Sequence, residues 1–237
     1  MMRATSIEFV HRTAIAVAIA AFAAAVLPGF AAPRPDREPG WYARLETSSG
    51  TVVIRLLPEQ APQSVAHFAA LAEGRLEWTD PMTGKARRDP YYDGLLIHKV
   101  SAAQRFEAGD PTSTGRGSAP VYVPEEGFGP VDFSIRGRVG MTRASLGRIS
   151  GSLFFVTAAP QPWLSGRHPC FGTVVQGLDV VDAISTARAD GNGKPIEPIV
   201  LKTIKVYSVG EVEPLPEPVA FTPQPRRFQL REGLESR

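Results

Sequence analysis

Residues 151–172 read GSLFFVTAAPQPWLSGRHPCFG, and the fold prediction starts from this stretch. Its apolar run at residues 153–156 has the length and composition of a β-strand. Pro160 and Pro162 follow, and because proline cannot donate to a strand ladder, the strand must give way to a loop. Residues 171–175 then begin a second apolar segment of strand type. The stretch therefore predicts two strands joined by a proline-broken loop.

Three side chains stand at the edges of that loop. Phe155 lies in the first strand, whereas Trp163 and His168 lie in the loop itself. Large apolar rings with one polar group at the edge of a loop are typical of a shallow apolar binding pocket. From these residues alone, the alternative is a core Phe and a core Trp with a surface His.

The composition of the 237-residue chain limits what the protein can be. An apolar content of 43% is typical of a globular domain, and 22 Gly with 22 Pro favour short strands and turns over a helix bundle. The net charge of +2 argues against nucleic acid or an anionic membrane surface as a partner. The one cysteine, Cys170, excludes an internal disulfide, and the histidines lack the spacing of a helical metal-binding pair. We therefore expect no metal and no cofactor.

The N-terminal residues 1–31 have the pattern of a secretory signal peptide. Its uncharged, alanine-rich core is short for a bilayer span, and residues 29–31 form a small-x-small cleavage site. We expect a periplasmic or secreted protein that is free of the membrane after cleavage; the alternative is a membrane anchor formed by an uncleaved leader. A Pro-rich linker is predicted at 32–40, a folded domain at 41–210, and a mobile or loosely docked Pro-rich tail at 211–237.

The order of segments predicts about eight strands and two helices. Apolar residues at helical spacing indicate a first helix between Ala61 and Gly74 and a second at 177–185. The predicted strand segments are residues 42–46, 51–56, 95–100, 105–108, 133–136, 138–143, 153–156, 171–175 and 199–209. Short strands without the spacing of βαβ units indicate a mainly β protein with an antiparallel barrel.

Two further expectations concern the surface. Residues 77–90, EWTDPMTGKARRDP, are polar and rich in turn residues, so they are predicted to form an inserted surface loop. His67 falls off the apolar stripe of the first helix and is expected to be solvated.

The order of motifs resembles that of the cyclophilins, the cyclosporin-type peptidyl-prolyl cis-trans isomerases. The similarity covers residues 42–209 and rests on APQSVAHFAALAEG, YYDGLLIHKV, AGDPTSTG, GRVGM and GSLFFVTAAPQPWLSGRHPCFGTVVQGLDVVDAI. The resemblance implies an eight-stranded antiparallel barrel capped by two α-helices, which agrees with the independent count of segments. The 77–90 insertion is similar to one carried by some bacterial members.

The resemblance also implies the position of the site. The family's proline-pocket phenylalanine and histidine, its Trp-Leu pair at the rim, and the methionine before a backbone-contact segment correspond to Phe155, His168, Trp163, Leu164 and Met141. Thr142 and Arg143 occupy the backbone-contact segment itself, where the family usually has Ala-Asn.

The chain departs from the family pattern between residues 97 and 110. Lys99 stands where the family has its catalytic arginine. Gln104 and Arg105 replace two apolar pocket walls, and Glu107 replaces the glutamine that braces the arginine. Leu153 replaces another glutamine beside the site. These changes predict a diverged active site.

Prolyl isomerisation breaks no bond, so it needs neither cofactor nor nucleophile. The X-Pro amide has a rotational barrier of roughly 20 kcal/mol. An apolar pocket for the proline ring, donors that hold the flanking backbone, and a cation or donor at the twisted amide would lower this barrier. Phe155, Leu164 and Met141 are expected to line the pocket.

The identity of the cation is left open by the sequence. Lys99 supplies a charged donor, but a flexible one in place of arginine's planar fork, and Glu107 could either orient it or sequester it. Arg105 precedes Glu107 by two residues and should share its strand face, so Arg105 is a second candidate.

The sequence therefore predicts a peptidyl-prolyl cis-trans isomerase that acts on X-Pro bonds of exported proteins and assists their folding. Its activity is expected to be reduced because Lys99 replaces the family arginine. The alternative is a catalytically weak or inactive module of the same fold that binds proline-containing peptides as a chaperone does. The resemblance implies proline-containing polypeptides and cyclosporin-like ligands as partners, and we expect a monomer.

Overall fold

The computed structural model describes residues 37–219 except 116, 120, 145 and 146. The predicted signal peptide at 1–31, the first part of the linker, and residues 220–237 of the tail lie outside the described residues. None of the helices in the described part of the chain is long and apolar enough to cross a bilayer.

The regular secondary structure of the described chain is mainly β-strand. In chain order these are β1 (Gly40–Thr47), β2 (Gly50–Leu56), β3 (Trp78–Thr79), β4 (Ala86–Arg87), β5 (Leu95–Leu96), β6 (Lys99–Ser101), β7 (Arg105–Ala108), β8 (Tyr122–Val123), β9 (Arg138–Arg143), β10 (Ile149–Thr157), β11 (Cys170–Gln176) and β12 (Val200–Val209). The two α-helices are α1 (Pro62–Ala72) and α2 (Leu178–Ser185). A 3-10 turn spans Pro162–Leu164.

Ten of these strands form one antiparallel sheet. Its order is β5-β12-β1-β2-β11-β9-β10-β7-β6, with β8 paired to β10. The end strands β5 and β6 are separated only by Ile97 and His98, so the sheet must curl until its two edges approach each other. The Ile97 amide donates to the Ile199 carbonyl (2.9 Å), and the His98 amide donates to the Glu107 carbonyl (3.2 Å). The mainly β, barrel-like fold with two helices is thus confirmed; two of the ten strands, β5 and β8, span only two residues each.

Helix α1 packs its aromatic residue into the core of the curled sheet. Phe68 is fully buried, and its ring centroid lies 5.3 Å from Tyr92, 5.5 Å from Phe154 and 5.1 Å from Phe171. Burial of one such ring is worth roughly 1.5–3 kcal/mol of folding free energy. Phe154 and Phe171 belong to β10 and β11, so this contact fixes the helix against the strands that also carry the loop of residues 158–169.

The N-terminus of α1 is capped by a distant residue. Pro62 occupies the first turn, where its missing N–H is no loss, and Ala61 has no side chain that could cap the helix. The Glu126 carboxylate accepts hydrogen bonds from the amides of Gln63 (3.0 Å) and Ser64. A negative charge at this position also complements the helix dipole.

Two local predictions differ from the structure. Residues 133–136, predicted as a strand, are bends; Gly137 has φ of 76°, and the chain turns there before β9 begins. This turn leaves Phe133 free to pack inward instead of joining a ladder. Residues 77–90 are exposed for the most part, as predicted, but they contain the hairpin β3–β4, in which the Arg87 guanidinium lies 4.6 Å from the centre of the buried Trp78 ring.

The prediction of a solvated His67 is wrong. His67 is fully buried, and its Nε2 lies 3.1 Å from the Val219 carbonyl, to which it donates. The described part of the tail runs from β1 over α1: Trp41 Nε1 of β1 donates to the Glu213 carbonyl (2.8 Å), and Gln63 Oε1 of α1 accepts from the Val219 amide (2.7 Å). The helix face that the apolar stripe leaves open is therefore covered by the tail, a contact between distant residues that helical spacing cannot predict.

Candidate active site

Five directly paired residues form a row across five neighbouring strands. Lys99 of β6 pairs with Glu107 of β7, Glu107 with Phe155 of β10, Phe155 with Gly140 of β9, and Gly140 with Cys170 of β11. Directly opposed residues of neighbouring strands project from the same face of a sheet. This active-site row therefore brings two charged side chains, an aromatic ring and a small apolar thiol to one side of the sheet.

The aromatic part of the site is a small cluster separate from the main core. Phe133, Phe155, Leu164 and Cys170 pack together and are all buried. The Phe155 ring lies 5.3 Å from Phe133 and stands perpendicular to the His168 ring at 5.4 Å. The predicted neighbours Phe155, Leu164 and His168 are thus brought together. Phe133 was missed because its segment had the composition of a strand.

Gly140 is required by the close approach of two rings. A Cβ at this position would lie 2.5 Å from Cζ of Phe155 and 2.6 Å from Cζ of Phe133. Real Cβ contacts are not that short, so only glycine lets both rings occupy the space above β9.

His168 is held in a neutral, oriented form. Its Nδ1 lies 3.0 Å from the Met141 carbonyl, which can only accept, so Nδ1 carries the proton. Burial lowers the pKa of His168 below its ordinary value; the Met141 carbonyl opposes this, and the positive charges of Arg143 and Arg105 add to the lowering. At neutral pH the ring is an uncharged wall that also fixes the backbone of β9.

The Met141 side chain lies outside the pocket that it was expected to line, whereas Trp163 lies at the edge of the site. Met141, expected to line the pocket, has its side chain in the main core with no exposed surface, and it reaches the site through its carbonyl. Trp163 and Leu164 lie in the 3-10 turn, where successive side chains point in different directions. Leu164 is therefore buried in the aromatic cluster, whereas Trp163 is 56% exposed beside it.

Two cations share one carboxylate at the edge of Phe155. Arg105 Nε lies 3.1 Å and Lys99 Nζ lies 3.7 Å from Oε1 of Glu107. Arg105 and Glu107 share a face of β7, as predicted. The Arg105 side chain is 24% exposed and the Lys99 side chain 43%, so Arg105 is the more enclosed of the two cations. Its guanidinium carbon lies 5.7 Å from the centre of the Phe155 ring.

Gln161 holds Arg105 from the other side and was not predicted from the sequence. Its Oε1 accepts a hydrogen bond from Nη1 of Arg105 (2.7 Å), and its Nε2 donates to the Gln104 carbonyl (2.6 Å). Gln161 is fully buried, and its backbone N–H donates to the Phe133 carbonyl (2.8 Å). Gln104 thus contributes its backbone, and its side chain is exposed. A glutamine between two prolines gives no sequence signal for such a role.

Thr142 and Arg143 end β9 next to the His168 contact. Arg143 does not project freely: Nε donates to the Arg167 carbonyl (2.6 Å), and Nη1 and Nη2 donate to the two carboxylate oxygens of Glu125 (2.7 and 2.9 Å). The hydrogen bond from Arg143 lowers the pKa of Glu125. Arg143 therefore holds the end of β9 against Arg167 and Glu125. Thr142, the residue before it, is half-buried.

No cluster of metal-ligating residues is present in the part of the chain that the structure describes. Within residues 37–219, apart from the four positions left undescribed, no group of three His, Cys, Asp or Glu side chains could hold a metal ion.

Comparison with known proteins identifies the family. A family model described as cyclophilin type peptidyl-prolyl cis-trans isomerase/CLD matches residues 42–206. Peptidyl-prolyl cis-trans isomerase B of Streptomyces anulatus is 37% identical over 168 residues, which cover 70% of this chain and 95% of that protein. A probable peptidyl-prolyl cis-trans isomerase A of Mycobacterium leprae is 36% identical over 166 residues, 69% of this chain and 91% of that protein.

Solved structures agree with the sequence relatives. A cyclophilin type peptidyl-prolyl cis-trans isomerase of Cryptosporidium parvum, crystallised in the presence of the dipeptide Ala-Pro, superposes with a TM-score of 0.59 at 27% identity, covering 71% of this chain and 99% of that one. The chain belongs to the cyclophilin-type peptidyl-prolyl cis-trans isomerase family. It is an enzyme of that class, as the resemblance implied.

Proposed function

We propose that this isomerase acts on X-Pro bonds of exported polypeptides, as a monomer in the periplasm or outside the cell, and assists their folding. The signal-peptide pattern of residues 1–31 supports export. Cys170, the one cysteine of the chain, is buried, and burial raises its pKa to about 11, so it stays an unreactive thiol in an oxidising compartment.

Export is tested by fractionation of expressing cells followed by N-terminal sequencing. Mature protein in the periplasm or medium that begins at Ala32 is the expected result. Full-length protein that sediments with membranes would instead support the anchored alternative.

The observation that carries the proposed mechanism is the active-site row. The proline ring would pack on Phe155 between Leu164 and His168, because removal of these apolar surfaces from water is favourable. The hydrogen bond from His168 to the Met141 carbonyl fixes the segment that continues into Thr142 and Arg143. That backbone would hold the substrate chain next to the proline while the amide rotates.

Lys99 is the proposed cation for the twisted amide. Its amino group lies beside Glu107 at the end of the row and is exposed enough to reach a bound peptide. An ammonium group is a point charge on a flexible stem, so it stabilises the transition state less well than a planar guanidinium. The expected result is an isomerase that turns over more slowly than an enzyme with arginine at this position.

A coupled assay on a short X-Pro peptide tests this assignment. Lys99→Ala should lower kcat/KM by roughly tenfold, and Lys99→Arg should raise it above the parent. Arg44→Ala, which removes an arginine from β1 on the far side of the sheet, serves as the control and should leave the rate unchanged. Equal rates for the parent and both Lys99 variants would contradict a role for Lys99.

The pairing of Lys99 with Glu107 favours a second candidate function. Lys99 Nζ lies 3.7 Å from Oε1 of Glu107, and this carboxylate holds the cation back from the amide of a bound peptide. A protein whose cation is held in this way would bind proline-containing segments or cyclosporin-like ligands with little turnover. A background isomerisation rate, together with peptide binding that Phe155→Ala abolishes and a cyclosporin competes for, would identify such a binding module.

A further inference from the structure

The ring that should receive the substrate's proline is covered in this structure. Phe155 is 2% exposed, with Phe133 on one side and the edge of His168 on another. The Arg105 guanidinium lies over the ring, 5.7 Å from its centre. A cavity of about 230 Å³ opens next to the cluster, lined by Phe133 and His168 among others, but Phe155 does not line it.

Arg105 is fixed in this position by two acceptors. Glu107 accepts from Nε at 3.1 Å, and Gln161 accepts from Nη1 at 2.7 Å. Gln161 is itself fully buried and anchored through the Gln104 and Phe133 carbonyls. A long side chain held at both ends of its guanidinium over an aromatic face is a preferred, ordered arrangement.

We propose that Arg105 is a specificity-determining residue that covers the proline pocket and must swing away before a substrate binds. This inference rests on the proposed function of the pocket. The covered state competes with the substrate for the face of Phe155. The apparent dissociation constant therefore equals the intrinsic one divided by the fraction of molecules in which the pocket is open. It leaves the rotation of the bound amide unaffected.

The charge around Arg105 defines the substrate class that opens the pocket best. Arg105 and Lys99 share one oxygen of Glu107, so this edge of the pocket carries one net positive charge. A displaced guanidinium loses the Gln161 contact and needs a new acceptor. A carboxylate next to the substrate proline provides one, so the protein prefers prolyl peptides with an adjacent Asp or Glu.

The test measures kcat and KM separately, by NMR exchange between cis and trans forms of matched peptides. The peptides differ only by Glu or Gln placed directly before or after the proline. The proteins are the parent, Arg105→Met and Gln161→Ala, with Arg44→Met as the control. Arg44 is matched because its Nε also lies 3.0 Å from Oε1 of a Glu two residues on, Glu46, on the distant strand β1.

Four results are expected. The parent has a KM roughly tenfold lower for a Glu peptide than for its Gln partner, about the effect of one charge-assisted hydrogen bond. Arg105→Met lowers KM for the Gln peptides, leaves kcat unchanged and removes the preference for Glu. Gln161→Ala, which keeps the cation but loosens it, also lowers KM for Gln peptides. Arg44→Met behaves as the parent.

Other outcomes overturn the inference in distinguishable ways. A fall in kcat on Arg105→Met, with KM unchanged, would make Arg105 the catalytic cation instead of a cover. Equal KM values for the Glu and Gln peptides in the parent would exclude the acidic preference. Absence of exchange in the parent with every peptide would refute the proposed function, and with it this inference. Circular dichroism at matched temperature shows whether each variant is folded. If Arg105→Met does not fold, Gln161→Ala still tests the inference.

Discussion

At the scale of single residues, the packing of the site depends on the absence of a side chain at Gly140. Gly140 has no side chain, and Phe133 and Phe155 fill the space that a side chain would occupy. Because Phe155 and His168 are then in edge-to-face contact, the position of the imidazole depends indirectly on this glycine. Aromatic pairs of this kind contribute about 0.5–1.5 kcal/mol beyond their buried area.

Replacement of Gly140 should therefore be costly. Gly140→Ala is expected to lower the free energy of unfolding by about 1–3 kcal/mol through overpacking and to reduce isomerase activity by moving Phe155. Urea unfolding and the peptide assay measure the two effects. Gly191→Ala is the matched control, since its added Cβ would meet nothing within 4 Å, and it should stay within about 0.5 kcal/mol of the parent. Equal stability of the two variants would contradict the packing argument.

The loop pattern, together with the family resemblance, predicted some of these positions. Phe155, Leu164 and His168 meet in the site because a proline-broken loop returns the chain to the neighbouring strand. Gln161 and Phe133 could not be predicted, since their roles depend on side-chain packing across strands that are distant in sequence. The assignment of catalytic roles to individual residues stays a prediction.

At the scale of elements, the register of the strands, which composition does not predict, brings the active-site row together. The active-site row exists because β6, β7, β10, β9 and β11 are neighbours in one register, and a shift by one residue would turn each side chain to the other face. The sequence predicted the antiparallel class and most segments. It misassigned residues 133–136 and hid the β3–β4 hairpin, because turn-rich segments and short strands have overlapping compositions.

The capping of α1 is a contact between elements that can be tested. Glu126→Ala should lower the free energy of unfolding by about 1 kcal/mol, because the first amides of the helix lose their acceptor. Guanidinium unfolding followed by circular dichroism measures the change. Glu59→Ala, an exposed glutamate three residues before the helix begins, should change stability by less than about 0.5 kcal/mol. A larger loss for Glu59→Ala than for Glu126→Ala would exclude this cap.

At the scale of the whole molecule, three histidines of the described chain couple folding to pH: His67 and His98 are buried, and His168 is half-buried. Burial lowers the pKa of His67, His98 and His168 from the ordinary value of 6.5. Contacts oppose the shift at each site: the Val219 carbonyl at His67, the charges of Asp110 and Glu107 at His98, and the Met141 carbonyl at His168. The net effect is that the folded protein binds fewer protons than the unfolded chain in mildly acidic solution.

The sign of the pH dependence follows from linkage. Since the unfolded state binds more protons between the folded pKa values and 6.5, stability rises with pH through this window and is fully present above it. The unfolding free energy should therefore be flat from about pH 7 to 8 and fall as the pH decreases below about 6.5. Carboxylates whose pKa is lowered in the folded state, such as Asp110, lose their contribution to stability only at lower pH, below about 4. Urea titrations at pH 7.5 and 5.5 that give equal stability would contradict this account.

We propose above that the pocket built on Phe155 catalyses rotation about the X-Pro bond. NMR exchange spectroscopy on a prolyl peptide with substoichiometric mature protein tests it most directly. We expect cis–trans exchange well above the uncatalysed rate, roughly hundredfold weaker catalysis with Phe155→Ala, and unchanged catalysis with the surface variant Gly191→Ala. Exchange that is equally fast with Phe155→Ala would place the catalytic site elsewhere on the protein.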